Sequence, residues 1–260
     1  MNRFKDKVVI VTGAGSGIGA GTARRFLQEG AFVTLNGRRE HRLHKTIAGS
    51  DAAKSLIHPG NVSDEEYVKR LVEDTVTQFG KLDVLVNNAG MAIFGPFEKT
   101  TTLDWRKLMA TDLDSVYFAC REALPHLLKT KGCIINLSSA SGLGGDWGMS
   151  SYNAAKGAVT NFTHALALEY GSHGVRVNAV APSLTSTDAT AEIEKSEAVM
   201  AAFRERLPLG RAATPDDIAG VIAFLASEDA RFVNGAILPV DGGLHASNGQ
   251  PNFLALIGKG

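Results

Sequence analysis

The chain has 260 residues, enough for one large domain or two small ones with a substantial buried core. Its 27 lysines and arginines balance its 27 aspartates and glutamates, so no overall charge favours nucleic acid or an anionic membrane as a partner. No apolar run has the length of a membrane span, and the N-terminal residues do not resemble a signal peptide. Cys120 and Cys133 lie among apolar residues, which predicts buried thiols in a cytoplasmic protein, with no disulfide and no metal site.

The first predicted elements are a strand over residues 8–11, a glycine-rich turn and an amphipathic helix that ends at Gly30. In this order, backbone amides and a helix N-terminus can hold a phosphate group. The spacing Gly-x-x-x-Gly-x-Gly differs from the common dinucleotide fingerprint, and a tight turn alone could require the glycines. The strand before the turn and the helix after it favour dinucleotide binding. The residues expected to contribute are Gly13, Ser16, Gly17, Ile18 and Gly19.

The second predicted strand, residues 31–36, leads to Gly37, Arg38 and Arg39. An acidic residue about 20 positions after the glycine motif would bind the ribose 2′-hydroxyl of NAD. Gly37 offers no carboxylate at that place, and Arg38 can form charge-assisted bonds to a 2′-phosphate. Two exposed arginines at the start of a helix are the alternative interpretation. The sequence therefore predicts NADP(H) as the cofactor, with NAD as a possible second one.

The remaining predicted strands alternate with helices and cover residues 55–58, 82–86, 133–137, 175–180 and 236–240. A capping box at Ser63 and Glu66 predicts the start of one helix, and a second, long helical pattern covers residues 103–129. Strands that alternate with helices form a parallel sheet covered on both faces. The sequence thus predicts one α/β domain over residues 1–260, in which seven predicted strands form a parallel sheet with helices on both faces.

The prediction of function is organised around Ser139, Tyr152 and Lys156. Positions four apart share a helical face, so the Lys156 ammonium lies one turn from the Tyr152 ring and favours its phenolate. Ser139 follows a buried strand, and its hydroxyl can reach the same substrate oxygen as Tyr152. An exposed tyrosine and lysine without chemistry are the alternative, because this pair is common. The arrangement predicts proton exchange with a carbonyl or an alcohol.

The chain resembles the short-chain dehydrogenase/reductase family along nearly its whole length. The matching motifs are residues 12–19, residues 87–90, Ser139, Tyr152 with Lys156, Pro182 with Thr187, and residues 241–243. The resemblance implies a seven-stranded doubly wound parallel sheet of the Rossmann type, a nicotinamide cofactor and a homotetramer. It implies that Tyr152 is the acid/base, that Ser139 polarises the substrate oxygen, and that Lys156 holds the nicotinamide ribose. The further cofactor-binding residues that we predict are Asn61, Val62, Asn88, Ala89, Gly90, Pro182 and Thr187, the last holding the carboxamide.

Three positions depart from the family pattern. Asp112 stands where the family usually has an asparagine that supports a proton relay, and we count it among the predicted catalytic residues. Ser183 stands where glycine is common, and Asn61 replaces an aspartate that usually touches the adenine. Asp112 is the one feature that favours a non-catalytic dinucleotide-binding sensor. Such a sensor is expected to lose Tyr152 or Lys156, and both are present.

Residues 123–148 resemble more closely those of bacterial 2,3-butanediol (acetoin) dehydrogenases, which have similar tails around Gln250. This resemblance predicts a small hydroxyketone or diol as the substrate. Residues 184–208 are predicted to form a lid, and residues 245–260 a tail that docks on a neighbouring subunit. Trp147 is predicted to wall the pocket, or alternatively to pack its own loop. The predicted substrate-contacting residues are Ser139, Ser141, Trp147, Tyr152 and Gln250.

Two other enzyme classes remain as alternatives, a 3-oxoacyl-carrier-protein reductase and a sugar-alcohol dehydrogenase. A reductase that acts on an acidic carrier should have a basic surface, which the balanced charge does not suggest. His41 and His44 lie on an arginine-rich helix, which predicts a solvated face rather than a metal site. The expected partners are thus a small-molecule substrate and further copies of the chain, with neither nucleic acid nor membrane.

Overall fold

The structure is a computed structural model that describes residues 2–258, without the side chain of Ala255. Its strands are β1 Val8–Val11, β2 Phe32–Gly37, β3 Ser55–Pro59, β4 Val84–Asn87, β5 Cys133–Leu137, β6 Arg176–Pro182 and β7 Ile237–Val240. They form one sheet in the order β3-β2-β1-β4-β5-β6-β7, and every neighbouring pair is parallel. The order reverses between β1 and β4, and a crevice forms at the carboxyl ends of strands at such a point.

Helices cover both faces of the sheet. They are α1 Gly17–Gln28, α2 Glu40–Thr46, α3 Glu65–Phe79, α4 Thr102–Met109, α5 Ser115–Thr130, α6 Ser150–Gly171, α7 Ala191–Glu194, α8 Glu197–Arg206, α9 Pro215–Ala226 and α10 Phe253–Leu256. No helix within residues 2–258 is both long and apolar enough to cross a membrane.

The two faces of β1 explain the two hydrophobic cores. Side chains alternate along a strand, so Val9 and Val11 face one side while Val8 and Ile10 face the other. Val9 and Val11 pack in a core with buried residues of α1 and α9, such as Phe26 and Ile222. Val8 and Ile10 belong to the second core, with residues of α3, α5 and α6. The predicted fold, a doubly wound seven-stranded parallel sheet with helices on both faces, is confirmed.

Two predicted helices differ in detail from the observed ones. Asp64, not Ser63, caps α3, because its carboxylate accepts the N–H of Tyr67 at 3.2 Å. The capping box predicted at Ser63 and Glu66 is therefore wrong by one position. The long helix predicted over residues 103–129 is divided into α4 and α5 by a π-helical segment, Ala110–Asp114. An extra residue in one turn rotates the side chains that follow, and such bulges occur often at functional sites.

Candidate active site

A cleft of about 280 Å³ opens at the carboxyl ends of the strands around β1 and β4. Twelve of the predicted cofactor-binding residues line it: Gly13, Ser16, Gly17, Ile18, Gly19, Arg38, Asn61, Val62, Asn88, Ala89, Gly90 and Thr187. Pro182, Tyr152 and Lys156 are not among its lining residues. Pro182 ends β6 and is followed by Ser183, whose hydroxyl donates to the carbonyl of Asp241 at 3.0 Å and joins the chain after β6 to the chain after β7.

The glycine turn approaches the neighbouring backbone more closely than any side chain would allow. Gly13 has a φ of +67°, a left-handed conformation that favours glycine. A Cβ atom at Gly19 would lie 2.3 Å from the carbonyl oxygen of Gly13 and 2.3 Å from the side-chain amide nitrogen of Asn88. That Asn88 amide donates to the carbonyl of Thr12 at 2.8 Å, so the loop after β4 holds the turn after β1. The glycine turn around Gly13 and Gly19 thus forms a cradle, a concave surface made of backbone atoms without side chains.

The N-terminus of α1 faces this cradle and suits an anion. Ser16 is the N-cap of α1, but its side chain makes no capping hydrogen bond to the first turn. The first N–H groups of a helix have no intrahelical acceptor and favour negative charge. The cleft therefore fits the phosphates of a dinucleotide.

Three arginines line the cleft beyond β2, and no acidic residue is among the lining residues. Within the described part of the chain, the exposed side chain of Arg38 forms no hydrogen bond or ion pair. Arg42, on α2, forms an ion pair with Asp188, which belongs to the segment after Thr187. This pair crosses from α2 to the far side of the cleft. The sequence reading assigned this helix to a solvated face and missed Arg42, although it is the third arginine within five residues.

Asn36 is a second residue that the sequence reading missed. It is buried at the end of β2, where its side-chain oxygen accepts the N–H of Gly13 at 3.4 Å. Its amide donates to the Tyr67 hydroxyl at 2.9 Å, and burial raises the pKa of Tyr67 to about 12, against the opposing effect of the Asn36 amide. The sign of this role in the sequence is a polar amide near the end of the second predicted strand. The Asn36 side chain thus fixes the position of the glycine turn through Gly13.

The elements that carry the predicted catalytic residues meet where α6 packs on the end of β5. The Lys156 ammonium lies 5.6 Å from the centre of the Tyr152 ring and donates to the carbonyl of Leu137 at 3.0 Å. The hydroxyl of Ser138 donates to the backbone carbonyl of Lys156 at 3.3 Å. Ser139 is the next residue and is nearly buried, and its hydroxyl oxygen accepts the N–H of Ser141 at 3.1 Å. Hydrogen bonds thus join the end of β5 to α6. Ser139 lies just after this strand, and Tyr152 lies in the first turn of this helix.

Asp112 joins this group from the π-helical segment. Its side chain is fully buried, with Oδ2 at 3.2 Å from the Lys156 ammonium and Oδ1 accepting the N–H of Met91 at 2.8 Å. Burial raises the pKa of the Asp112 carboxyl, and the neighbouring Lys156 charge opposes this rise. Burial also acts to lower the pKa of Lys156, but the charges of Asp112 and Tyr152 and the hydrogen bond to Asp112 together outweigh it, so that pKa is raised. The charge of each group thus favours the ionised form of the other.

The predicted substrate residues are only partly brought together. Ser141 is buried and its hydroxyl donates to Asp146 in the same loop. The Asn153 amide donates to the carbonyls of Ser141 and Gly144, at 2.7 and 2.8 Å, and so fixes the loop to α6. The ring of Trp147 is fully exposed, because this fixed loop turns it outward. Within one protomer Trp147 therefore neither walls the pocket nor packs its loop. Gln250 is also exposed and remains a prediction.

Residues 2–258 contain no cluster of three or more His, Cys, Asp or Glu side chains that could hold a metal ion. His44 instead lies 3.6 Å from Glu40 on the exposed face of α2.

Comparison with known proteins gives close relatives over almost the whole chain. Residues 13–245 match a family model described as enoyl-(acyl carrier protein) reductase. The sequence is 48% identical to the meso-2,3-butanediol dehydrogenase of Serratia marcescens, over 97% of this chain and 100% of that protein. It is 39% identical to the NADP-dependent (R)-specific alcohol dehydrogenase of Lentilactobacillus kefiri, over 94% and 99%. It is 35% identical to the 3-oxoacyl-[acyl-carrier-protein] reductase of Thermotoga maritima, over 93% and 99%.

Proposed function

Since this chain belongs to the short-chain dehydrogenase/reductase family and is thus an oxidoreductase with a nicotinamide dinucleotide cofactor, we propose that it transfers hydride between NADP(H) and a small ketone or secondary alcohol. The observation that carries the proposal is the place of the Lys156 ammonium, which lies beside the Tyr152 ring, donates to the end of β5 two positions before Ser139, and lies next to Gly90 of the cofactor cleft. When bound, the dinucleotide supplies or accepts the hydride.

Each of the predicted site residues would then have a separate role. The cradle around Gly13 and Gly19 and the N-terminus of α1 would hold the phosphates, and Thr187 would hold the carboxamide. The Ser139 hydroxyl would bind the substrate oxygen, while Tyr152 would give a proton to that oxygen in reduction and take it in oxidation. The Lys156 ammonium, 5.6 Å from the centre of the Tyr152 ring, would bind the nicotinamide ribose.

The choice of NADP(H) over NAD(H) is supported by charge at the cleft. Arg38, with no partner among the described residues, can form charge-assisted hydrogen bonds with a 2′-phosphate. Gly37 offers no carboxylate to bind the ribose hydroxyls. One of the relatives is named as NADP-dependent. The electrostatic balance of the cleft therefore favours the cofactor with the additional negative charge.

A small hydroxyketone or diol is our proposed substrate class. The name of the most similar of the reported relatives, a meso-2,3-butanediol dehydrogenase, supports it. The test is a panel of acetoin, diacetyl, 2,3-butanediol, simple ketones and sugars with NADPH and with NADH, followed by the absorbance of the reduced nicotinamide. We expect the highest kcat/KM with NADPH and a compact ketone.

The same panel, extended by acyl thioesters and sugar alcohols, tests the main rival, reduction of 3-oxoacyl-carrier-protein thioesters, which the Thermotoga maritima relative and the family description favour. Turnover of acyl thioesters while every small ketone and sugar is inert would overturn our proposal. Turnover of sugar alcohols alone would place the chain among sugar-alcohol dehydrogenases. Cofactor binding without any turnover would favour the sensor.

We also propose that residues 184–208 act as a lid. This segment contains α7 and α8, and none of the residues of either helix is buried. It is tied to the cofactor cleft through Thr187, whose methyl group packs against Gly17. The Thr190 hydroxyl donates to the carbonyl of Thr185 at 2.7 Å and closes the start of the segment on itself. A segment that is held at its start and at buried Leu207, with no buried residue in its two helices, can move over a substrate.

The tail is proposed to dock on a neighbouring subunit of a homotetramer. Phe253, Leu254, Leu256 and Ile257 are each between 59% and 73% exposed, an apolar surface that favours burial against another chain. Of the tail predicted over residues 245–260, positions 259 and 260 lie outside the described residues.

A cytoplasmic location is proposed as well, since Cys120 and Cys133 are free and buried.

Deletion of residues 247–260 is expected to weaken the oligomer and to raise KM severalfold, because the apolar tail would no longer complete a neighbour's site. Light scattering coupled to gel filtration measures the first effect, and steady-state kinetics measure the second. Substitution of Phe253 and Ile257 by serine in the full chain is the matched control for the loss of apolar surface alone. A truncated protein with the same mass and the same KM as the full chain would contradict this role.

A further inference from the structure

The Asp112 carboxylate is enclosed from every described side. The π-helical segment Ala110–Asp114 turns it inward, whereas Asp114, two positions later, is exposed. A Cβ atom at Gly90 would lie 2.9 Å from Asp112 Oδ2 and 3.5 Å from the Lys156 ammonium, so the bare backbone of Gly90 seals the pair. Oδ2 is buried without a well-directed hydrogen bond, and its partner is the ammonium charge at 3.2 Å.

Few charges act on this pair. The titratable groups that act on the pKa of Lys156 are Asp112 and Tyr152, and the charged group that acts on the pKa of Asp112 is Lys156. The other polar contacts are neutral backbone groups, the N–H of Met91 and the carbonyl of Leu137. A buried carboxylate that loses its cation is left with an uncompensated charge, which is strongly unfavourable.

We propose that Asp112 is the counter-ion of Lys156 and sets the pH range in which the site exchanges its proton. The inference rests on the proposed function of Tyr152 and Lys156. Beside a neutral residue the Lys156 ammonium would act on the Tyr152 phenol with its full charge. Beside Asp112 the pair has no net charge, so the phenolate is favoured less and oxidation of an alcohol, which needs a proton acceptor, requires a higher pH. Asp112 is thus a positioning residue that acts through Lys156.

The ion pair itself is tested by thermal unfolding of the full chain without added cofactor. We expect Lys156→Met to lower Tm by about 5–15 °C, because it leaves the Asp112 carboxylate buried and unpaired. Adding Asp112→Asn to Lys156→Met should restore most of that loss. Asp114→Asn, an exposed change in the same segment, should move Tm by less than about 2 °C. Losses that add independently in the double variant would overturn the counter-ion role.

The effect on proton exchange is tested by the pH dependence of kcat/KM for alcohol oxidation. We expect Asp112→Asn to move the midpoint of the profile to lower pH by about one unit, the size expected of one buried charge at an effective dielectric constant of about 20. Asp114→Asn should leave the midpoint in place. An unmoved midpoint in Asp112→Asn would overturn the inference, and this measurement does not need the Lys156→Met variant to fold. Failure of the proposed function would appear differently, as full activity of Tyr152→Phe, and the unfolding cycle would still decide the ion pair.

Discussion

Tyr152→Phe is expected to lower turnover about 10²–10⁴-fold while the affinity for the dinucleotide stays nearly unchanged. The substitution removes one hydroxyl, the group proposed to exchange a proton with the substrate oxygen, and leaves the ring beside Lys156 in place. The glycine turn and the arginines that would hold the dinucleotide belong to other elements, around β1 and α2. Turnover is measured at saturating cofactor and alcohol, and affinity by fluorescence titration with NADPH.

The matched control is Tyr170→Phe, which removes a hydroxyl from the other end of α6. This ring packs at the edge of the core and lies well away from the end of β5. We expect it to keep wild-type turnover. Near-normal turnover in Tyr152→Phe would remove Tyr152 from the mechanism, whatever the control shows.

The double substitution of Gly37→Asp with Arg38→Ala is expected to move the ratio of kcat/KM for NADPH over NADH by about 10²–10³-fold towards NADH. Loss of the Arg38 guanidinium removes a charge-assisted contact to the 2′-phosphate, a contribution of about 1.5–3 kcal/mol. The new carboxylate would repel that phosphate and could bind the ribose hydroxyls of NAD. A Cβ at Gly37 would lie 3.1 Å from a methyl group of Leu43, which must shift by a few tenths of an ångström.

The control for this change is Arg24→Ala, which removes the same charge from an exposed position of α1 outside the cleft lining. Its cofactor preference should match that of the wild type. The proposal of NADP(H) is refuted if the unmodified protein has a higher kcat/KM with NADH than with NADPH. In that case Arg38 and Arg39 are the exposed helix-opening arginines of the alternative interpretation.

The fold could be predicted from the sequence because its signals are local. The β-branched residues of β1 and the glycines after it determine a strand and a turn within a dozen positions. The spacing of Tyr152 and Lys156 places both on one helical face without any knowledge of the rest of the chain. Such features depend on backbone geometry within one element, which a sequence displays directly.

The parts that could not be predicted depend on contacts between distant segments. Arg42 and Asp188 are 146 positions apart, and Asp112 meets Lys156 of α6 from a π-helical turn between α4 and α5. The hydrophobic pattern of residues 103–129 is compatible with an uninterrupted helix and gives no sign of that turn. The exposure of Trp147 likewise follows from the Asn153 amide, which holds the loop by backbone carbonyls that any residue could supply.

The contrast between β1 and α8 bears on how proteins of this kind can acquire new substrates. All four residues of β1 are at most 1% exposed and pack into two cores, so nearly every change there costs stability. No residue of α8 is buried, and substitutions at exposed positions usually alter the free energy of unfolding by no more than about 0.5 kcal/mol. Mutations can therefore accumulate in the proposed lid while the strand that leads into the cofactor cleft stays unchanged. Relatives named for a diol, an alcohol and a carrier-bound acyl group are what such an uneven tolerance would produce over evolution.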